Sequence, residues 1–491
     1  MNILKRPMFF AALVCCAAAA VSLFSKSVAF LIIAVAVSVL LIVLFNKKCK
    51  YIVVLVAIIL FTFSLFFEFT KIEKTEMQNN EKIKGIFLIT EEPTDYGEFT
   101  TVELKNEKCN NLPNNIKLFC FDYKKSELKM GDIVDVTLKL NKIERTDKYR
   151  LSNYSSGIYA TANIIELNKT GDNNIFYKTA SNIRDYVKST IASYFTGDTT
   201  GLLLALTTGD KTLLSDEFSA NVKTTGISHV IVVSGMHLSI IMSAVFWLLD
   251  KLFYNKYIRC LFSVVTVVSI CAICGFTMSI IRAGVMFIIA GLAPVFNRDN
   301  DSLSSLLTAV TVGLIGEPFA VFNVSFQLSV LSTLAIIWVV PFYYNILTLK
   351  FNMSSKFIKG ILATVLCSIF AIIFTLPVTT KIFGYVSIVS PITNIIISYP
   401  VMIALVCNII ALILWAVPGV RIITYPLFLV AKLCSRFIVY IVNQIAKLQI
   451  TVAVLPKSAI WWSLLLVVIV IGYMYFYDFK KKRSEQYANS V

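Results

Sequence analysis

The sequence predicts a polytopic α-helical membrane protein with an extracytoplasmic small β-barrel inserted after its first helices. Hydrophobic residues make up 57% of the 491 positions, which is too many for an ordinary soluble domain. Apolar runs of roughly 20 residues, the length that crosses a bilayer, recur along most of the chain. One stretch, residues 71–178, instead carries alternating polar and apolar segments typical of strands.

The N-terminal region, residues 1–70, is predicted to form three transmembrane helices. Lysine and arginine mark the cytoplasmic side of a membrane protein, and they precede the first apolar run and recur at 47–50, between the second and third. This bias predicts a cytoplasmic N-terminus and places residue 68 onward outside. The three runs are 8–24, 28–45 and 51–67.

Residues 71–178 are predicted to form an OB-like barrel of five short strands. Turn-forming clusters of Asn, Gly, Asp and Pro separate the strand-type segments. Such a barrel often binds single-stranded nucleic acid through basic and aromatic side chains, and the alternative is a scaffold or lid. The segments are 84–90, 98–105, 115–122, 132–140 and 157–166. The candidate DNA-binding residues are Lys117, Phe119, Phe121, Tyr123, Lys124 and Lys125.

Two of the 11 cysteines, Cys109 and Cys120, flank a turn-rich stretch within this domain. Oxidising conditions outside the membrane would allow these two thiols to form a disulfide. The sequence therefore offers them as a disulfide candidate, and the alternative is two free thiols.

Residues 179–225 are predicted to form amphipathic helices at the membrane interface. Apolar residues recur at four-residue spacing from Ile183 to Phe195, and a polar helix is expected at 214–225. Between them, the apolar stretch 201–211 is too short to span a membrane.

The two histidines of the chain, His229 and His237, lie close together in an otherwise apolar run. On a continuous helix they would share an arc of about 140° with Ser234. Polar groups within a membrane tend to face a wet pathway, so this arc, with Gly235, is predicted to line a pore or substrate path. The alternative is that each group bonds a neighbouring helix and has no further role.

Residues 226–479 contain ten apolar runs, and the tail 480–491 is basic and predicted to be cytoplasmic. An outside barrel and an inside tail require an odd number of crossings. We therefore expect the run 383–399, which carries Pro391 and Asn394, to be a re-entrant segment that leaves nine crossings. The ten runs are 228–250, 257–275, 278–296, 303–316, 319–340, 357–378, 383–399, 401–417, 420–446 and 459–477.

Polar residues inside these runs extend the predicted path. Arg282 lies four residues into its run, where it either meets an anionic partner or extends towards the interface. Asn323 and Gln327 share one helical face and are the better path candidates of their run. Together with Pro391 and Asn394, these residues complete the predicted pore lining.

Several motifs, taken in order, resemble the competence-protein (ComEC) family, the membrane channel of bacterial DNA uptake. The resemblance covers nearly the whole chain and implies a channel for one DNA strand with an OB-like domain outside the membrane. The motifs are Gly209-Asp210-Lys211, Gly226-Ile-Ser-His229, Ser234-Gly235-Met-His237, Arg282-Ala283, Pro318 and Phe326-Gln-Leu-Ser329.

Longer members of that family carry a metallo-β-lactamase-like nuclease domain after the channel. The present sequence has no His-rich metal motif beyond its last apolar run, and two histidines cannot supply such a site. We therefore expect no enzyme activity, no metal and no cofactor. Either a separate metallo-β-lactamase-fold nuclease is a partner, or another system threads the strand.

The sequence leaves three functions open. The first is a channel for single-stranded DNA in the cell membrane, which works with membrane lipid and other DNA-uptake proteins, as a monomer or a homo-oligomer. The second is a transporter of a smaller anionic or polymeric solute, consistent with the net charge of +16. The third is a membrane enzyme in which His229 or His237 acts as a general base beside Ser234, although no carboxylate at helical spacing orients either ring.

Overall fold

The computed structural model describes most of the chain from residue 50 onward. The described residues are 8, 11–12, 14–16, 19, 50–78, 81–141, 153–231, 233–417, 419–448, 451–456 and 458–488. The first two predicted N-terminal runs therefore lie largely outside the described residues. The third corresponds to helix α1, Lys50–Met77.

The chain divides into two compact units, which are described separately. The first consists of Met1–Ser189 and Met242–Phe326, and the second of Thr190–Ile241 and Gln327–Val491. Three helices have residues in both units, so neither unit is one continuous stretch of chain.

The first unit contains a sheet domain in which each predicted strand has a counterpart. A short additional strand, β2, precedes the second of them. The strands are β1 (Lys82–Ile89), β2 (Thr94–Asp95), β3 (Thr100–Lys108), β4 (Lys117–Asp122), β5 (Asp132–Asn141) and β6 (Ile158–Asn173).

Each of the five long strands pairs with two others. β1 is antiparallel to both β5 and β3, β3 is antiparallel to β4, and β5 is antiparallel to β6. β4 and β6 are parallel, with Leu118 beside Ala160. Apolar side chains at alternate positions fill the interior, because successive side chains of a strand point to opposite faces. Ile83, Phe87, Leu104 and Val136 are fully buried there.

Helices follow the sheet domain along the chain. The first of these are α2 (Ile175–Tyr194), α3 (Asp198–Thr207), α4 (Asp216–Thr224) and the single turn α5 (Ser228–Ile231). The apolar helices α6 (Gly235–Leu252), α7 (Lys256–Ile273), α8 (Met278–Leu292) and α9 (Ser302–Gly316) come next.

A short 3-10 helix, Pro318–Phe322, separates α9 from the remaining helices. These are α10 (Val324–Lys350), α11 (Lys356–Ile382), α12 (Ser390–Trp415), α13 (Arg421–Ala446) and α14 (Ala459–Ala488). Strands β7 (Tyr385–Ser387) and β8 (Val452–Val454) form an antiparallel pair in the second unit.

Seven helices in the described residues are long and apolar enough to cross a membrane: α6, α7, α10, α11, α12, α13 and the part of α14 from Ala459 to Tyr477. Helices α8 and α9 are apolar but have 15 residues each. The protein is therefore a polytopic helical membrane protein with a sheet domain.

The predicted re-entrant segment 383–399 is wrong. Its first part forms strand β7, and its second part belongs to α12, a continuous helix of 26 residues that contains Pro400. Pro391 lies in the first turn of α12, where a proline removes no intrahelical hydrogen bond. Transmembrane helices tolerate an internal proline such as Pro400, because neighbouring groups satisfy the freed carbonyl.

Candidate functional site

Five aromatic side chains form a continuous cluster on one face of the sheet domain, which we call the aromatic platform. On β4, Phe119 and Phe121 alternate with buried residues and so lie on the opposite face from the interior. The ring of Phe99 is 5.5 Å from that of Phe121 and 5.9 Å from that of Tyr123. Tyr96 stacks on Phe99 at 5.7 Å, and Phe119 lies 5.4 Å from Phe121.

The outer tyrosines of the platform are open to solvent. Tyr96 is 63% exposed and Tyr123 is 60% exposed. A buried carboxylate, Asp122, fixes the turn that carries Tyr123, because its two oxygens accept the backbone N–H groups of Lys124 and Ser126 at 2.9 and 2.8 Å. Rings held in this way present flat apolar faces without losing much conformational entropy on binding.

The sequence prediction found only part of this platform. It named Phe119, Phe121 and Tyr123 but missed Tyr96 and Phe99. The signal was present in the sequence, because these two aromatic residues flank Gly97 in a segment rich in turn formers.

The three predicted lysines make contacts within the domain. The ammonium of Lys117 lies 2.7 Å from a carboxylate oxygen of Glu103, and that of Lys125 lies 3.5 Å from Asp95. The Lys124 ammonium donates to the carbonyl of Ile165 at 3.0 Å. Burial disfavours the charged form of Lys117, but Glu103, with smaller effects of Glu91 and Tyr177, outweighs it and raises the pKa of Lys117. The aromatic rings, rather than unpaired cations, are thus the distinctive feature of this face.

The predicted disulfide between Cys109 and Cys120 is wrong, because both thiols are free and buried. The Cys109 thiol donates to the carbonyl of Lys84 at 3.6 Å and packs on Gly85 of β1. Cys120 instead lies within β4, opposite Val102 of β3. The turn-rich stretch between the two cysteines therefore does not bring their sulfur atoms together.

The histidine stretch is not one helix, so the predicted polar arc does not exist in the form expected. The single turn α5 ends at Ile231, and α6 begins at Gly235, after Ser234. His229 is exposed, whereas His237 has no exposed surface. The two rings therefore have different surroundings.

His237 satisfies the start of α6. Its Nδ1 atom accepts the backbone N–H of Ser234 at 3.1 Å and lies 3.0 Å from the Ser234 hydroxyl. Ser234 precedes the first helical residue, so His237 occupies the third helical position, from which a Glu or Gln side chain reaches back in a capping box. The neutral imidazole of His237 likewise accepts the N–H of Ser234, and it places no charge in an apolar run.

This geometry also identifies the tautomer of His237. A backbone N–H can only donate, so Nδ1 is an acceptor and the proton of the neutral ring is on Nε2. The Nε2 atom is buried and has no hydrogen-bond partner in the described residues. Because the Nδ1 lone pair already accepts from Ser234, His237 is poorly placed to remove a proton from the Ser234 hydroxyl. This disfavours the enzyme interpretation.

A second polar cluster lies at the start of α12. The Ser390 hydroxyl donates to the carbonyl of Gly226 at 3.2 Å, and the Asn394 amide lies 3.5 Å from the Ser390 hydroxyl. Gly226 has a positive φ of 74°, and a Cβ there would be 2.7 Å from the Cβ atoms of Ser387 and Ser390. Gly226 therefore allows these two segments to approach closely, and it also adopts a left-handed backbone conformation.

Two further predicted path residues, Asn323 and Arg282, lie in the first unit. The Asn323 side chain accepts the N–H of Phe326 at 3.2 Å and so caps α10, which corrects its assignment to a shared face with Gln327. Arg282 is only 5% exposed, so its side chain does not extend to the surface of its unit. Gln327, in contrast, belongs to the second unit, where it is the first residue of the segment Gln327–Val491.

The Gly209-Asp210-Lys211 motif forms a turn after α3. Gly209 has a φ of 82°, which favours glycine, and Asp210 accepts the backbone N–H of Thr212 at 2.8 Å and its hydroxyl at 2.6 Å. Lys211 is exposed. Among the described residues, no group of three or more His, Cys, Asp or Glu side chains is placed to hold a metal ion.

The helices and the sheet domain define a class, that of polytopic membrane proteins with one sheet domain inserted before the main helical region. Residues 206–480, more than half of the chain, match the family described as Competence protein. The chain belongs to the competence protein family.

A curated relative supports the same family. ComE operon protein 3 of Bacillus subtilis (strain 168) is 25% identical over 156 residues, which is 32% of this chain. The match covers 20% of that relative, so the chain aligns with only about a fifth of its length. No solved structure matches the chain.

Proposed function

We propose that this protein takes part in DNA uptake and that it passes a single DNA strand through the cell membrane. Membership of the competence family supports the role in uptake. The aromatic platform is the observation that carries the finer proposal, because exposed rings in a row suit the bases of a single strand.

The strand pairing supports an OB-like barrel for the sheet domain. Following the pairs from β1 through β3, β4, β6 and β5 returns to β1, and β4 is parallel to β6. OB-folds bind oligonucleotides on the face formed by their second and third strands. In this chain β3 and β4 are the second and third long strands, and the aromatic platform lies on and beside them.

The chemistry of the platform favours a single strand over a duplex. Bases are available for stacking only when they are unpaired, and each stacked base contributes about 1–3 kcal/mol. Tyr96 and Tyr123, at the two ends of the cluster, leave room for more than one base. The net charge of +16 favours a polyanion in general, although the lysines nearest the platform are engaged within the domain.

In this proposal, the sheet domain lies outside the membrane and both termini are cytoplasmic. The residues predicted to line the path remain proposals: His229, Ser234, Gly235, His237, Arg282, Asn323, Gln327, Pro391 and Asn394. Of these, His229 is exposed, and it also forms a hydrogen bond with the backbone of Gly226. A separate nuclease and other DNA-uptake proteins are the proposed partners.

Binding of oligonucleotides to the full-length protein in nanodiscs tests the proposal. Replacing both Tyr96 and Tyr123 with Ala removes two stacking faces, so the affinity for a fluorescent oligothymidine should fall at least about tenfold. Tyr254→Ala is the matched control, because this tyrosine is also exposed but lies outside the sheet domain. The double variant of Tyr96 and Tyr123 should also lower transformation frequency in the host without changing protein abundance.

Three results would contradict the proposal. Equal affinity for single-stranded and duplex oligonucleotides would argue against base stacking. Wild-type affinity in the double variant would show that the aromatic platform does not bind the oligonucleotide. If the protein bound no oligonucleotide at all, the interpretation as a transporter of a smaller anionic solute would take precedence.

A further inference from the structure

Two carboxylates and a tyrosine meet where the sheet domain approaches the helices of the first unit. Glu68 lies near the end of α1, Tyr159 lies at the start of β6, and Glu317 lies between α9 and the following 3-10 helix. Glu68 is 5% exposed and Tyr159 is 6% exposed. The sequence prediction missed all three residues.

The hydrogen bonds of this cluster require a proton from a second source. The Tyr159 hydroxyl donates to one oxygen of Glu68, and its oxygen lies 3.5 Å from a carboxylate oxygen of Glu317. A hydroxyl has one hydrogen, so it cannot donate to both carboxylates at once. Glu317 therefore bonds Tyr159 only when its own carboxyl is protonated and donates to the Tyr159 oxygen.

We infer that Glu68, Tyr159 and Glu317 form a proton-operated latch, which fastens the sheet domain to helices α1 and α9 when Glu317 is protonated. In the closed form, Glu317 donates to Tyr159, Tyr159 donates to Glu68, and the ammonium of Lys71 pairs with Glu68. Each polar group then has a partner. In the open form, ionised Glu317 has no proton to donate to Tyr159, and it faces the Glu68 carboxylate.

The charged groups around Glu317 support this behaviour. Lys71 is committed to Glu68, and Lys117 is held by Glu103 at 2.7 Å, so neither cation is free to pair with Glu317. Burial, followed by the nearby Glu68 carboxylate, raises the pKa of Glu317 to about 8, against the lowering effects of Lys71 and Lys117. This value places the opening of the latch within the pH range that bacteria experience.

Gly157 makes the close approach at this cluster sterically feasible. Its φ is 74°, and a Cβ at this position would lie 3.3 Å from a carboxylate oxygen of Glu317. The absence of a side chain therefore leaves space for the Glu317 carboxyl beside the start of β6. Aromatic packing holds Tyr159 in place from the other side, since its ring centre is 5.6 Å from that of Tyr154.

Infrared difference spectroscopy of the full-length protein in nanodiscs provides the first test, because protonated carboxyl groups have their own carbonyl absorption. Wild-type protein should show a carboxyl that titrates near pH 8. This signal should be absent in Glu317→Gln and should move towards lower pH in Glu68→Gln, which removes the neighbouring negative charge. Glu166→Gln is the matched control, because Glu166 is exposed on the same strand as Tyr159.

Hydrogen–deuterium exchange of the first residues of β6 shows whether the proton operates a latch. After correction for the intrinsic pH dependence of exchange, these amides should exchange about tenfold faster above the transition than below it, as expected for loss of one hydrogen bond. Glu317→Gln should remain protected at both pH values. Tyr159→Phe retains the ring and removes the hydroxyl, so it should exchange fast at both.

Either experiment can overturn the inference. A high-pH carboxyl titration that persists in Glu317→Gln assigns the proton to another group. Equal exchange on both sides of the transition, or unchanged exchange in Tyr159→Phe, shows that the cluster does not fasten the sheet domain. Neither result depends on whether the protein binds DNA.

Discussion

Two substitutions distinguish a capping role of His237 from a path-lining role. His237→Gln places an amide oxygen at the third helical position, from which a Gln side chain accepts the N–H of the residue before the helix. His237→Leu replaces the ring with an apolar side chain of moderate size, which offers no acceptor to Ser234. If His237 is a cap, Gln should preserve the protein and Leu should destabilise it.

The magnitude follows from the contacts of the ring. In His237→Leu the buried N–H of Ser234 loses its 3.1 Å bond, which costs about 1–3 kcal/mol in the free energy of unfolding. Removing the Nε2 donor, which is buried without a partner in the described residues, offsets part of this cost. We therefore expect a net loss of about 1–2 kcal/mol, which lowers the melting temperature by a few degrees.

Thermal unfolding of the purified protein and transformation frequency in the host are the two measurements. Ser239→Ala serves as the control, since Ser239 is exposed on the same helix and bonds only the carbonyl of Gly235 among its described contacts. Capping predicts that uptake follows stability across the series, with His237→Gln close to wild type. If His237→Gln lost uptake at normal stability and abundance, capping alone would not explain the role of His237. The ring would then be assigned to the path lining.

Three other predictions concern Gly226 of the second unit, and two cysteines and Glu317 of the first. Gly226→Ala should destabilise the protein by about 1–3 kcal/mol in thermal unfolding, because of its positive φ and because the new Cβ would lie 2.7 Å from that of Ser390; wild-type stability would contradict this contact. Mass spectrometry without reductant should find Cys109 and Cys120 unlinked, and Cys120 should react slowly with thiol reagents because burial raises the pKa of its thiol. The carboxyl of Glu317 has a pKa raised from 4.5 to about 8 in the folded protein, so its contribution to stability is complete below about pH 4.5 and is lost as the pH rises through about 8; a Glu317→Gln variant whose stability falls equally over this range would disprove the assignment.

Hydrophobicity and alternation predicted most of the secondary structure, because both patterns are local. The strand at 132–141 alternates apolar and polar residues, and the run 420–446 has the length and composition of a membrane helix. The break at 383–399 was mispredicted for a different reason. Pro391 and Pro400 look like helix breakers in sequence, whereas a first-turn position and a membrane environment make both compatible with one helix.

Long-range contacts could not be predicted in this way. Glu68 and Glu317 are far apart in sequence, and each looks like a charge that ends an apolar run. Only the fold shows that the Tyr159 hydroxyl bonds one of them and approaches the other. The aromatic platform was half visible, because β4 displays its rings by alternation, whereas Tyr96 and Phe99 join it only through the turn between β2 and β3.

The polar residues of the apolar runs share a position that the sequence analysis did not consider, namely the starts of helices. His237 satisfies the N–H before α6, Asn323 caps α10, and Ser390 and Asn394 lie in the first turns of α12. The first four N–H groups of any helix lack intrahelical partners, and water cannot satisfy them in hydrocarbon. A polar residue in an apolar run is therefore needed at a helix start whether or not a substrate passes nearby. It follows that path lining requires evidence beyond polarity, and this holds for His229, which lies in the single turn α5 and bonds the backbone of Gly226, as well as for His237.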